Sequence, residues 1–183
     1  IIRKFRSGET GNKYFTTYVM FNFDDDPQDF YERLKINLEL SIKHNIRITG
    51  FPMKFVPIDD VNRHHISSKW NWRFLRGIQC ILVGTHGMVS PNPEYFEIAF
   101  GKDYQEFLEI ISMPDDYIIY RQKNKDKALT WKRHFDKLSK SEKDELFSFL
   151  ADNHRKNSIY SHTNKKIESI LRFYKPKIKK IIK

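Results

Sequence analysis

Residues 14–58 read YFTTYVMFNF, then DDDPQDFYERLKINLELSIKHN, then IRITGFPMKFVPI, and this order leaves few ways to fold. The first run is rich in aromatic and β-branched residues, which predicts an inner strand buried on both faces. Asp26 can accept hydrogen bonds from the free N–H groups of a first helical turn, Pro27 has no N–H to waste there, and Asp29 faces the positive helix end. Phe30, Leu34, Leu38 and Ile42 recur every four residues and give that helix an apolar side, while Glu32, Lys35, Glu39 and Lys43 keep another side wet. A strand, a covering helix and a second apolar strand predict a βαβ unit with parallel strands and a right-handed crossover. Ligands of parallel α/β folds sit at the carboxyl ends of the strands, here Asn22-Phe23-Asp24-Asp25 and Pro52-Met53-Lys54.

The 183 residues can bury one sizeable core, or one domain and an appendage, and 39% hydrophobic with 15% aromatic residues is a globular composition. No window approaches the roughly 20 apolar residues of a membrane span, and the first residues lack a signal-peptide pattern, so a cytoplasmic location is expected. The single Cys80 cannot form an internal disulfide, and no Cys/His set has structural-zinc spacing. Charge is uneven. Residues 123–183 hold 18 Lys and Arg against 7 Asp and Glu, and the rest of the chain holds 15 against 16. Such a segment is either a solvated helical face or a contact for nucleic acid or another polyanion. For the second case the candidates are Lys132, Arg133, Lys165, Lys166 and Arg172, with Trp131, Tyr160, Phe173 and Tyr174 to stack on bases.

Between these regions the chain punctuates itself. Residues 1–13 read as the end of a helix and a loop, and His64 and His65 fall in a polar connection where a surface or hydrogen-bonding role outweighs metal binding. SKWNWRFLRGIQCILV, residues 68–83, predicts a buried helix in which Gly77 marks a close approach of another element. Arg73 and Arg76 on its flank could meet a phosphate or carboxylate. His86, between Gly84 and Gly87, is the one histidine singled out as a site residue. A short helix over residues 93–100 stops at Gly101, Asp103 caps the next, and Pro114 ends it. Residues 117–120 form an apolar run that docks the end of the domain. Polar helices follow over 129–138, from an N-cap at Ser141 through Leu150, and over 165–174. Pro176 then breaks the pattern, and the final KIKKIIK reads as a basic end.

No P-loop, GxGxxG, GxSxG, HExxH or EF-hand loop is present. Asp24, Asp25 and Asp26 could hold a magnesium ion, although Asp26 as a helix cap with an exposed neighbour is the stronger reading. The run YVMFNFDDDPQDFYERLKINLEL, followed by IRITGFPMKFVPIDD, resembles the late strands of the partial (β/α)6 barrel of radical S-adenosylmethionine enzymes. WNWRFLRGIQCIL, THGMV and YFEIAFGKDYQEFLEIISMPDDYIIYR are similar to a C-terminal segment in that family, so the resemblance covers roughly residues 14–121. It implies an α/β fold with a late βαβ part of a partial barrel in residues 1–66 and a helical segment packed on it in 67–122, to which the charge and pattern of residues 123–183 add a basic helical extension. It also implies S-adenosylmethionine and a [4Fe–4S] cluster in the full protein. Asn22, Asp24, Pro52, Met53 and Lys54 would then lie near the nucleotide. A cluster needs three thiolates from a CxxxCxxC loop, and one cysteine cannot supply them. The expectation is therefore a C-terminal part of such an enzyme or a split subunit, completed by an upstream barrel segment or partner subunit because a lone βαβ unit leaves its strand edges and one sheet face unpaired, or else a relative that has lost the chemistry. The alternative is a basic nucleic-acid-binding or structural module without catalysis.

Overall fold

Strand β1 (Tyr14–Phe21) and strand β2 (Arg47–Lys54) lie side by side in parallel, Tyr14 opposite Arg47 and Phe21 opposite Lys54, with helix α1 (Pro27–His44) crossing between them. The computed structural model of the protein describes residues 14–154 and 160–174. The expectations for residues 1–13, Pro176 and the KIKKIIK end lie outside them. The α1 start is a full capping box: Asp26 accepts from the N–H groups of Gln28 and Asp29, and the Asp29 carboxylate reaches back to the Asp26 N–H at 3.1 Å. Phe30, Leu34 and Leu38 are buried, whereas Ile42 is 58% exposed: steps of four residues drift around a helix of about 3.6 residues per turn, and the buried stripe passes to Ser41 instead. Ser41 donates to the Asn37 carbonyl and accepts from the Ile48 N–H, tying helix to strand.

Burial alternates along β1. Val19 and Phe21 face α1 and are buried; Tyr14, Tyr18 and Met20 point the other way and are 66%, 74% and 47% exposed. The expectation of burial on both faces is therefore corrected: among the described residues, only the helix side of this sheet is covered. β2 shows the same division, with Ile48 and Gly50 covered and Met53 open, and its outer edge meets Val89 in one antiparallel bridge at Gly50. The molecule is α/β and mostly helical, with a two-stranded parallel sheet.

The remaining helices stack on the α1 side. Helix α2 (Trp72–Gly84), capped by Asn71 and starting four residues after the predicted Ser68, packs on α4 (Tyr104–Ser112) and α5 (Asp115–Ile119). Gly77 is the point of closest approach: a Cβ there would lie 2.3 Å from the Ile111 carbonyl oxygen. Helix α3 (Pro93–Phe100) ends at Gly101 and Asp103 caps α4, as their sequences predict. Residues 117–119 belong to α5, so the apolar run docks as a helical turn. Helix α6 (Lys125–Phe135) starts four residues before its expected position. Helix α7 (Lys140–Asn153) is capped by Ser139 rather than Ser141, because Ser139 pairs with Glu142 in a capping box. Helix α8 (Lys165–Leu171) ends in a 3-10 turn over Arg172–Tyr174. One continuous apolar core runs from Val19 and Phe30 through Phe107 and Trp131 to Ile170.

Candidate functional site

The carboxyl ends of β1 and β2 lie next to each other, and the chain leaves β1 through Asn22 in the left-handed region, φ 70°. Asparagine tolerates that conformation better than most residues. Its side chain is wholly buried and fully used: Nδ2 donates to the carbonyls of Phe55 (3.1 Å) and His65 (3.2 Å), and Oδ1 accepts from the Ser67 N–H (2.9 Å). Asn22 thus pins the ends of both strands to the connection over residues 59–69.

The three aspartates that follow each have a separate task. Asp24 is exposed, and its main-chain oxygen accepts from Lys69 Nζ at 2.8 Å. Asp25 pairs with Arg33 and accepts from the Phe23 N–H, while its carbonyl takes the indole N–H of Trp70 at 2.7 Å. Asp26 is the α1 cap. Among the described residues no three His, Cys, Asp or Glu side chains gather into a metal-holding group.

On β2, Pro52 sits half-buried opposite Val19, on the helix side, whereas Met53 is half exposed on the open face opposite Met20. Lys54 is half-buried, and desolvation holds its ammonium below the ordinary lysine pKa, with Arg63 acting in the same direction and Asp60 against it. Of the expected cofactor residues the structure gathers all five at one end of the sheet. Asn22 is committed to the backbone, Pro52 is turned to the helix side, Lys54 lies opposite Phe21 at the last position of its strand, and Asp24 and Met53 are exposed.

A lone βαβ unit leaves one sheet face unpaired, as the sequence implies, but which side chains line that face was not read from the sequence. Tyr18 and Phe51 pack side by side across it, with ring centroids 6.2 Å apart. Past the strand ends Phe23, Phe55 and His65 continue an aromatic row at 4.7 and 5.7 Å. The signal was the even-numbered set Tyr14, Tyr18 and Met20, which alternates with an equally apolar odd set. β1 also presents its backbone unevenly. The Phe21 carbonyl accepts from the Phe55 N–H, so odd residues bond towards β2, and Met20 offers its carbonyl to the outer edge, where Arg33 caps it at 2.8 Å.

The other candidates are dispersed. His86 is exposed at φ 54° in the turn after α2. His65 stacks on Phe55 and donates its N–H to Asp60. Cys80 is buried, and desolvation pushes its thiol up to about 11, a poor ligand and nucleophile. In the basic region Lys132 pairs with Glu109 and Asp136, Lys166 pairs with Glu142, and Arg172 lies 2.9 Å from His134 Nε2. Arg133 and Lys165 are exposed. Trp131 and Tyr160 are buried in the core, which corrects the expectation that they stack on bases. No protein-family model, curated protein or solved structure matches this chain.

Proposed function

We propose that this chain is the closing portion of a radical S-adenosylmethionine enzyme's partial barrel, supplying strand-end and lumen-facing side chains but no cluster thiolates. The supporting observation is the one-sided sheet. In a (β/α) barrel every strand is covered by helices outside and turns alternate side chains into the lumen. β1 and β2 carry α1 on one face, with Tyr18, Met20, Phe51 and Met53 on the other. The motif stretches of residues 14–121 add the family resemblance. On this reading Met53 and Lys54 meet the nucleotide, Asn22 positions the strand ends that present them, and an upstream segment or partner subunit covers the open face.

The described residues do not fit an iron–sulfur cluster, since the lone thiol is buried and held protonated. The cluster belongs to the completing segment, and no chemical step is assigned to this chain. The test is anaerobic purification of the polypeptide or complex that carries this chain, with iron and sulfide reconstitution. Iron–sulfur absorbance and release of 5′-deoxyadenosine from S-adenosylmethionine are expected. Neither appearing in any assembly that contains the chain would overturn the reading.

A further inference from the structure

The sequence singled out Arg73 and Arg76 as possible anion ligands, and the strand-end site does not use them. Both line a cleft of about 730 Å3 on the far side of α2, between α5, α6, α7 and the 3-10 turn at Arg172–Tyr174. Arg73 is only 2% exposed. Its Nη1 donates to Asp115 Oδ1 at 2.9 Å, and Arg76 donates from Nε to Asp115 Oδ2 at 2.8 Å, so one carboxylate serves two guanidiniums. Arg73 Nη2 is buried with no acceptor among the described residues. A buried charged donor left unmade is costly, and native structures keep few of them without a reason.

The rest of the lining has the character of a ligand pocket. Among the described residues the cleft is lined by the guanidiniums of Arg73 and Arg76, which share the Asp115 carboxylate, and by the exposed Lys127, with Asp116 also in the lining. Beside the guanidiniums the wall is flat and aromatic: Trp72 stacks on His154 at 4.4 Å, and the Arg73 guanidinium lies 5.6 Å from the Trp72 ring. Planar guanidinium forks suit the paired oxygens of a carboxylate or phosphate better than any other ligand group.

We propose that this cleft binds a small oxyanion, a phosphate monoester or a carboxylate, whose oxygens take the spare Arg73 donor and the Arg76 and Lys127 cations. Arg73 Nη2 is screened from solvent, so the ligand reaches it as a lining side chain turns aside. Trp72, the only one of the three tryptophans that is not buried, lines the cleft beside Arg73. This proposal is independent of the radical-enzyme reading, which concerns the strand ends and the open sheet face, none of whose residues line this cleft.

Adenosine monophosphate, benzoate and inorganic phosphate would each be titrated into the chain, following tryptophan fluorescence and heat of binding. The first two arms separate phosphate from carboxylate as the preferred source. Saturable binding of at least one probe is expected, with a fluorescence change that Trp72→Phe abolishes. Loss of a charge-assisted contact in Arg76→Gln or in the surface variant Lys127→Gln should weaken binding about tenfold. No saturation by any of the three at millimolar concentration, or binding unchanged in both charge variants while their folds are intact by circular dichroism, would overturn the proposal.

Discussion

Asn22 shows how one residue can decide a site without touching a ligand. Three main-chain groups from two segments converge on its amide, and its own backbone sits at φ 70°. Asn22→Ala removes all three bonds, leaves buried main-chain groups unmatched and adds a left-handed strain. The expected loss is about 3 kcal/mol, read as a lower urea midpoint at unchanged slope. Asp115 is the electrostatic counterpart. Burial raises its carboxyl, but Arg73 and Arg76 outweigh that and hold its pKa below the ordinary value. A carboxyl with a depressed folded pKa stabilises the fold above its unfolded pKa, near 4, and this contribution is lost as pH falls through the folded pKa. Asp115→Asn should therefore flatten the acid limb of stability below about pH 4. At neutral pH it should cost about 2 kcal/mol, less than a fully buried pair, because Asp115 keeps 36% of its side chain in solvent.

Elements were legible wherever a local signal had no competitor. Asp26-Pro27 fixed the start of α1, Asn92 and Pro93 began α3, and Gly101 with Asp103 separated α3 from α4. Where two signals competed the longer-range one won. Ser139 and Ser141 both precede an acidic residue by three positions, but Glu142 also holds Asn164 and Lys166 from α8, which settles the cap on Ser139. Helix α6 was read as polar, yet Ala128, Trp131, Phe135 and Leu138 follow helical spacing, and all four join the core. That spacing was available in the sequence and was masked by the density of lysines around it. Gly77 was read correctly as a close approach, and the α2–α4 crossing makes it sharper. Gly77→Ala gains about 1 kcal/mol of helix propensity but drives a methyl into the Ile111 backbone, so a net loss of about 2 kcal/mol and a lower Tm are expected. A scan showing Gly77→Ala neutral would mean that α4 can slide away from α2.

At the scale of the whole molecule, the parallel βαβ unit and its helical cover could be inferred from pattern alone. That such a lone unit leaves a sheet face unpaired could be inferred as well, but which residues of these strands stand on that face could not. A strand with apolar residues on both parities reads the same whether both faces are filled by its own chain or one awaits a partner, because periodicity reports side-chain polarity and not what lies opposite. For the same reason the βαβ pattern places the strand-end residues together at one end of the sheet but says nothing of the contacts each one makes. Hydrogen bonds between Asn22 and residues more than thirty positions away leave no trace in spacing. The open face also has a cost that the chain manages locally. Arg33 folds around the edge of β1 to cap the Met20 carbonyl, a charged guard of the kind that keeps edge strands from pairing indiscriminately.

The account turns on whether β1 gains a neighbour in the working protein. Residue-resolved amide hydrogen exchange should therefore be measured on the chain alone and on the cluster-bearing assembly, following Thr16 and Tyr18, whose N–H groups face the outer edge, against Val19, which faces β2. Thr16 and Tyr18 are expected to exchange rapidly in the chain alone and to become protected on assembly, with Val19 protected in both. Equal exchange of Thr16 and Tyr18 in the two states, whether fast or slow, would contradict the reading of this sheet as one completed by another segment.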